Sequence, residues 1–182
     1  KDYRVTPHCP RCGTSLSSHE LAQGYKDVKD LSVYVKFKVV GSENEYLVAW
    51  TTTPWTLAGN VALAIGAEIN YVKIKLDSEF LWMAKDRVAE VIKDDYEIVE
   101  EAKGSELVGK KYEPLFPFLQ TALKTQRLDY STTVFTVLAA DFVSTSEGSG
   151  IVHTAVMYGQ DDFALGQKVG LPKHHLVKLD GT

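Results

Sequence analysis

The sequence predicts an α+β fold with a β-barrel-like core of short strands and short helices at its periphery. Three observations support this prediction. Short segments in which apolar and polar residues alternate recur along the chain, and that period is typical of half-buried strands. Segments with helical spacing are few and short. Strands and helices do not alternate regularly, which argues against a doubly wound sheet.

The clearest strand signal lies in SVYVKFKVV, where four apolar side chains alternate with Tyr34, Lys36 and Lys38. GSEN, residues 41–44, has turn composition, so EYLVAWT is expected to be the hairpin partner. The further predicted strands are VALAI (61–65), YVKIKL (71–76), EFLWMA (79–84), YEIVEEA (96–102), TVFTVLAADFV (133–143) and GIVHTAV (150–156).

One segment in the middle of the chain changes to helical spacing. In KDRVAEVIK, residues 85–93, Val88, Val91 and Ile92 fall on one face, which predicts a short amphipathic helix. The segments 1–31 and 104–118 are interrupted by proline and glycine, and we expect both to be irregular.

A second helix is predicted near the end of the chain, in QDDFALGQKVG, residues 160–170. Asp161 or Asp162 is expected to cap its start, because carboxylates accept hydrogen bonds from free backbone amides. Gly170 is expected to end it, because glycine readily adopts the left-handed conformation that closes a helix.

Composition limits the possible functions. The chain has 182 residues, 45% of them hydrophobic, which is enough for one domain with a real core. The net charge of −4 argues against an autonomous nucleic-acid binder, since phosphate neutralisation needs clustered Lys and Arg. It leaves open a domain that receives an RNA end while another domain holds the body of the RNA.

Several familiar signals are missing from the sequence. No apolar run reaches the roughly 18 residues of a membrane span, and the start lacks the apolar stretch of a signal peptide. We therefore expect a cytoplasmic location and no membrane partner. Neither glycine-rich phosphate loop motif is present, which counts against a nucleotide-driven enzyme. Because the chain lacks an initiator methionine and ends abruptly, we expect residues 1–182 to be one domain of a longer protein.

The two cysteines, Cys9 and Cys12, lie in one CPRC turn. Their spacing matches half of the ligand set of a zinc ribbon, but a structural zinc site normally needs four ligands. His8 and His19 would complete such a site only in an unusual geometry. We predict no metal site.

Two segments concentrate polar groups where a strand gives way to a turn: TTTPWTLAGN (51–60) and GIVHTAVMYGQDD (150–162). Sites are commonly built at such places, but each part also has a purely structural interpretation. Thr53 can be the N-cap of a helix that begins at Pro54. Aspartates at a helix start are favoured by the helix dipole, and His153 on an apolar strand is typical of a packed core histidine.

Taken together, CPRCGTSLSSHELAQGYKDVKDLSVYVKF, LVAWTTTPWTLAGN and GSGIVHTAVMYGQDDFALGQKVGL cover nearly the whole chain. They resemble the editing domain of the class I aminoacyl-tRNA synthetases for Ile, Val and Leu, and most closely the isoleucyl type. Valyl and leucyl domains typically have an arginine after the second threonine and an acidic residue two places further on. Thr53 and Trp55 stand at those positions here, which favours the isoleucyl type.

The resemblance implies roles for particular residues. Asp162 would bind the α-ammonium group of the substrate through a charge-assisted hydrogen bond. Thr52 and Thr53, with nearby backbone amides, would hold the terminal adenosine or the ester and position a water molecule. His153 would form a wall against the extra methyl group of isoleucine. The remaining family positions in or beside the pocket are Thr51, Thr56 and Asn60.

The function implied is hydrolysis of mischarged Val-tRNA(Ile), with valyl-adenylate as a further candidate substrate. The implied partner is the 3′ end of tRNA(Ile), bound by a monomer. No cofactor is expected in this domain, because ATP and magnesium would serve the synthetic site of the parent enzyme. Two alternatives stay open: a valyl-type domain that clears Thr-tRNA, and a non-catalytic barrel that binds tRNA ends.

Overall fold

The computed structural model describes residues 4–27, 29, 31–125, 133–178, 180 and 182. The strands are β1 His8–Cys9, β2 Thr14–Ser15, β3 Val33–Lys38, β4 Glu45–Thr51, β5 Ala62–Ile65, β6 Asn70–Leu76, β7 Glu79–Ala84, β8 Glu97–Lys103, β9 Thr136–Ala139 and β10 Ile151–Thr154. The α-helices are α1 Ser18–Gly24, α2 Val88–Val91, α3 Gly104–Leu107, α4 Phe118–Thr125 and α5 Gln160–Val169. Two 3₁₀ helices span Pro54–Gly59 and Lys85–Arg87.

One mixed sheet organises the fold, with strands in the order β8-β6-β7-β4-β10-β5-β9. Strand β4 is its junction, because one edge pairs with β3 and the other is shared by two strands. The first half of that second edge pairs in parallel with β7, and Trp50 near its end pairs in parallel with Val152 of β10. The carboxyl ends of strands β4 and β10 therefore lie at the same edge of the sheet.

The half of the sheet that contains β10 curls back on itself. Lys111 bridges to Thr136 of β9, and the next residue, Tyr112, bridges to Val39 just after β3. Further backbone bonds follow the same path, including Glu113 N–H to the Lys38 carbonyl at 2.8 Å. The segment between α3 and α4 thus joins β9 to β3, and the predicted α+β class with a barrel-like core is confirmed.

The interior of the curled sheet is the main hydrophobic core. All four residues of β5 are fully buried, which explains why VALAI reads as a continuous apolar run rather than an alternating one. Phe37, Leu47, Leu63 and Tyr112 pack together there. A second cluster lies under α2, and a third connects Leu165 of α5 to the sheet.

Some local predictions were wrong. Residues 1–31 were expected to be irregular, but they contain the β1–β2 hairpin and helix α1, in which Ser17 and Glu20 form a capping box. The segment 104–118 contains the single turn α3. The predicted strand 133–143 is confined to β9. It begins only after Phe135, which has a left-handed backbone conformation with φ of 52°, and it ends before a turn at residues 141–142.

The CPRC turn closes the β1–β2 hairpin, with both cysteines as free thiols. Hydrogen bonds from Cys12 lower the pKa of Cys9. Across the described residues, no group of three or more His, Cys, Asp and Glu side chains is arranged to hold a metal ion. In the same part of the chain, none of the helices has the length and apolar character needed to cross a bilayer.

Candidate active site

A cleft of about 250 Å³ opens where β4 and β10 end. Because the two strands are parallel neighbours, their last residues meet at one edge of the sheet, where α/β proteins commonly build sites. The described residues that line the cleft are Trp50, Thr51, Thr52, Thr53, Thr56, Val152, His153, Tyr158 and Asp162.

The threonine side of the cleft is a turn held by its own hydroxyls. Thr51 ends β4, and its Oγ1 accepts the backbone N–H of Thr53 at 3.1 Å, a local bond that favours a turn over continued strand. Pro54 then begins the 3₁₀ helix. Thr53 Oγ1 lies 3.3 Å from the hydroxyl oxygens of both Thr51 and Thr56. Thr53 is the N-cap, as expected, but its side chain makes no capping bond.

His153 forms the floor of the cleft. It is 6% exposed, and its Nε2 lies 2.9 Å from Thr56 Oγ1. On the far side of the ring, Nδ1 lies 2.9 Å from Asn60 Nδ2. Burial lowers the pKa of His153 to about 4, because a charged ring is poorly solvated there. The imidazole is therefore neutral at pH 7.

Asp162 lies in the first turn of α5 and faces the threonines across the cleft. Burial raises the pKa of its carboxyl to about 6, a backbone hydrogen bond from Ala155 opposes this rise, and the neighbouring Asp161 charge adds to it. No lysine or arginine occurs among the described residues that line the cleft. The carboxylate is thus half-buried, mostly ionised at pH 7 and without a cation in the cleft.

Gly159 makes room for that carboxylate. A Cβ atom at position 159 would lie 2.7 Å from Asp162 Oδ2, closer than real Cβ atoms come to other heavy atoms. Gly159 is also the N-cap of α5. The prediction that Asp161 or Asp162 caps this helix was therefore wrong, since both lie within its first turn, where the dipole still favours a negative charge. Gly170 ends α5 with φ of 75°, as predicted.

The loop before β10 packs against Trp50, one of the residues that line the cleft. Arg87 is 9% exposed, and its Nε donates to the Gly148 carbonyl at 2.9 Å. Gly148 has φ of 67°, and a Cβ there would lie 2.8 Å from the Trp50 ring. The buried guanidinium of Arg87 thus holds the loop before β10 in place, and Gly148 allows the loop backbone to pack directly against the Trp50 ring.

The structure brings together most of the residues that the sequence singled out. Thr51, Thr52, Thr53, Thr56, His153 and Asp162 all line one cleft. Asn60 does not. It is 4% exposed and supports His153 from behind. Asp161 is exposed on the outer face of α5.

Sequence reasoning missed four residues around this site. Trp50, Val152 and Tyr158 line the cleft, and each is adjacent to or inside a segment that had already been singled out. Tyr112, whose hydroxyl donates to Asn60 Oδ1 at 2.6 Å, stands in a segment that we expected to be irregular. No sequence pattern pointed to it.

A second cavity of about 410 Å³ lies on the other side of Tyr158. It is lined by the amino-terminal segment, by residues of the 157–163 region and by residues near 175–178. The described residues that line it do not include Thr51–Thr53, Thr56, His153 or Asp162. The Tyr158 hydroxyl accepts the backbone N–H groups of Leu176 and Val177 at 2.6 and 3.0 Å. Although it is larger, this cavity lacks the facing hydroxyl and carboxylate groups of the cleft.

Solved structures with the same fold define the class of this domain. The structure of GlLeuRS-CP1 aligns with a TM-score of 0.59 at 16% identity, covering 76% of this chain and 60% of that one. The editing domain of the cytosolic leucyl-tRNA synthetase of P. knowlesi also aligns with a TM-score of 0.59, at 14% identity, covering 81% and 65%. The chain therefore has the fold of an aminoacyl-tRNA synthetase editing domain.

Sequence comparison finds similar proteins. The isoleucine–tRNA ligase of Clostridium novyi (strain NT) is 52% identical over 181 residues, and that of Clostridium tetani is 51% identical over 181 residues. Each match covers 100% of this chain but only 17% of the relative's length. No family model matches the chain. Over its whole length the chain is therefore similar to one segment of the isoleucine–tRNA ligases, and it spans about a sixth of the length of these relatives.

Proposed function

We propose that this chain is the post-transfer editing domain of an isoleucine–tRNA ligase and hydrolyses the ester bond of Val-tRNA(Ile). The observation that supports this most strongly is the arrangement of the cleft, in which a half-buried carboxylate without a cation faces a cluster of hydroxyls. An aminoacyl ester has matching features: a primary ammonium group, an ester carbonyl and a ribose hydroxyl.

Asp162 is the group that would bind the amino acid. Burial raises the pKa of its carboxyl to about 6, so the ionised form is poorly solvated there, and an ammonium ion would stabilise it. A charge-assisted hydrogen bond is short and directional. This bond would fix the α-carbon and, with it, the direction of the ester carbonyl relative to the threonines.

The threonine side would position the attacking water. The hydroxyls of Thr51, Thr52 and Thr53 border the cleft, and Thr52 is exposed there. Water adds to the ester carbonyl, the bond from that carbon to the ribose oxygen breaks, and the ribose oxygen takes a proton as valine leaves. Since aminoacyl esters are already activated, orientation of water and stabilisation of the oxyanion are a sufficient contribution. No cofactor takes part in this scheme.

Size selection would depend on the side chains that line the cleft. Its volume of about 250 Å³, below the roughly 300–1,000 Å³ of common small-molecule sites, would admit an amino acid and leave the adenosine outside. An apolar pocket discriminates between two substrates that differ by one methylene by only about 1–3 kcal/mol. Isoleucyl-tRNA synthetase is itself the usual example of this limit. Exclusion of a larger side chain by a buried group is stricter, and His153, which lines the cleft and is buried, would supply it.

Deacylation assays with three charged tRNAs test the proposal. We expect the chain to hydrolyse Val-tRNA(Ile) faster than Thr-tRNA, and to leave Ile-tRNA(Ile) intact. Faster hydrolysis of Thr-tRNA would instead indicate valyl-type editing. Binding of the charged 3′ end without turnover, in the isolated chain and in the full-length ligase alike, would contradict the catalytic proposal and favour a non-catalytic tRNA-end-binding domain.

A further inference from the structure

A chain of hydrogen bonds runs from the hydrophobic core to the cleft. The Tyr112 hydroxyl donates to Asn60 Oδ1 at 2.6 Å. Asn60 Nδ2 lies 2.9 Å from His153 Nδ1, and His153 Nε2 lies 2.9 Å from Thr56 Oγ1. Thr56 Oγ1 in turn donates to the backbone carbonyl of Thr53 at 2.7 Å. Asn60, His153 and Thr56 thus each have one neighbour in this series nearer the core and one nearer the cleft.

The positions of the hydrogens along this chain follow from one backbone carbonyl. The carbonyl oxygen of Ala62 lies 2.9 Å from the same end of the Asn60 amide that contacts His153. A carbonyl oxygen only accepts hydrogen bonds, so that end of the amide is its NH₂ group. Asn60 therefore donates to His153 Nδ1. A neutral imidazole has one N–H, so its proton is on Nε2.

This assignment fixes what His153 presents to the cleft. Its Nε2–H donates to Thr56 Oγ1, and the hydrogen of Thr56 is used in the bond to the Thr53 carbonyl. The ring has no lone pair available on the substrate side, so His153 cannot act as the general base there. The Thr53 hydroxyl is left with its hydrogen free to turn toward Thr51 or toward a bound substrate.

Tyr112 contributes a hydroxyl that the packing of the core does not require. Its ring packs edge-on against Phe37 at 5.1 Å and against Phe135 at 6.1 Å, and phenylalanine would fill the same space. The hydroxyl contacts Asn60 Oδ1. Without it, a buried carbonyl oxygen would lose its donor, and the orientation of the Asn60 amide would depend on the Ala62 carbonyl and on His153 alone.

We propose that Tyr112 is a positioning residue which, through Asn60, holds His153 in the form that carries its proton on Nε2. The ring then acts as a fixed hydrogen-bond donor that orders the threonine hydroxyls. The tautomer is a property of the structure itself, whereas its effect on turnover rests on the proposed editing function. The two are therefore measured separately.

The direct test is NMR of the full 182-residue chain with ¹⁵N-labelled histidine. Couplings between ring nitrogens and carbon-bound protons identify which nitrogen of His153 is protonated, and comparison with a His153→Gln variant assigns the signals. We expect the Nε2–H form in the unsubstituted chain. Tyr112→Phe should shift the tautomer ratio toward Nδ1–H by about two- to tenfold, the effect of losing one hydrogen bond.

Tyr71→Phe is the matched control. Tyr71 is also fully buried, and its hydroxyl donates to the Gly150 carbonyl at 2.6 Å and accepts the Gly66 N–H at 3.1 Å. The change removes the same atom without touching the chain of bonds, so the His153 signals should stay in place. Asn60→Asp should reverse the tautomer, because a carboxylate accepts the proton of Nδ1–H.

Deacylation kinetics give the second measurement. With Tyr112→Phe we expect kcat to fall about two- to tenfold while KM stays unchanged. An Nδ1–H ring in the unsubstituted chain, or a Tyr112→Phe variant with unaltered tautomer and kcat, would overturn the proposal. A chain with the expected tautomer but no deacylase activity would overturn the editing function alone.

Discussion

Replacing Asp162 by asparagine removes the charge of the proposed substrate anchor and keeps the size of the side chain. The carboxylate lines the cleft with no lysine or arginine among its described neighbours, so the substrate ammonium would be its partner. Loss of a charge-assisted hydrogen bond, with the ammonium left unpaired in a half-buried site, costs about 2–4 kcal/mol. We therefore expect kcat/KM for Val-tRNA(Ile) to fall about 30- to 700-fold.

The same substitution should stabilise the fold, and this separates a functional loss from unfolding. The pKa of Asp162 is raised from 3.8 to about 6, so its ionised form opposes folding at pH 7. At 1.36 kcal/mol for each pH unit between those values, the cost is at most about 3 kcal/mol. The neutral amide avoids it, and each kcal/mol gained raises Tm by about 2–4 °C in a domain of this size.

The assay follows release of amino acid from mischarged tRNA, with thermal melting measured on the same samples. Asp161→Asn is the matched control, because it changes the same atoms one residue away on the exposed side of α5. It should leave both kcat/KM and Tm nearly unchanged, because burial is the main cause of the raised Asp162 pKa and the Asp161 charge adds less to it. If Asp162→Asn hydrolyses Val-tRNA(Ile) as fast as Asp161→Asn does, then Asp162 is not the amino anchor.

Three further outcomes follow from the same geometry. Deacylation should decline as pH falls through about 6, because Asp162 with its raised pKa becomes protonated and loses the charge that binds the ammonium. That inflection should be absent from the Asp162→Asn variant, and His153, with a pKa of about 4, should add none near neutral pH. Gly159→Ala should place a Cβ atom 2.7 Å from Asp162 Oδ2 and displace the carboxylate, lowering kcat/KM about 10- to 100-fold with little change in Tm. Wild-type rates in that variant would show that the carboxylate position is not critical. His153→Ala should open the wall of the cleft and allow hydrolysis of Ile-tRNA(Ile). A variant that still spares Ile-tRNA(Ile) would exclude His153 as the size filter.

Strand positions were predictable from the sequence because their cause is local. The alternation in Val33–Lys38 and the apolar run in Ala62–Ile65 reflect burial on one face or on both, and the structure places strands there. Helix α5 was also predictable, since its spacing and its terminal glycine lie within the segment itself. Helix α3 was missed, because a single turn lacks the repeated spacing that identifies a helix.

The amino acid sequence by itself determined the strand-rich class, the two polar segments and their resemblance to the editing domains. Only the tertiary structure decided that the two segments share one cleft, since the parallel pairing of β4 with β10 joins residues about a hundred positions apart. It also decided that Asn60 lies behind His153 rather than in the cleft, and that the Tyr112 hydroxyl donates to Asn60. The physical reason is that hydrogen-bond partners and burial depend on distances across the fold, which local spacing along the chain does not encode.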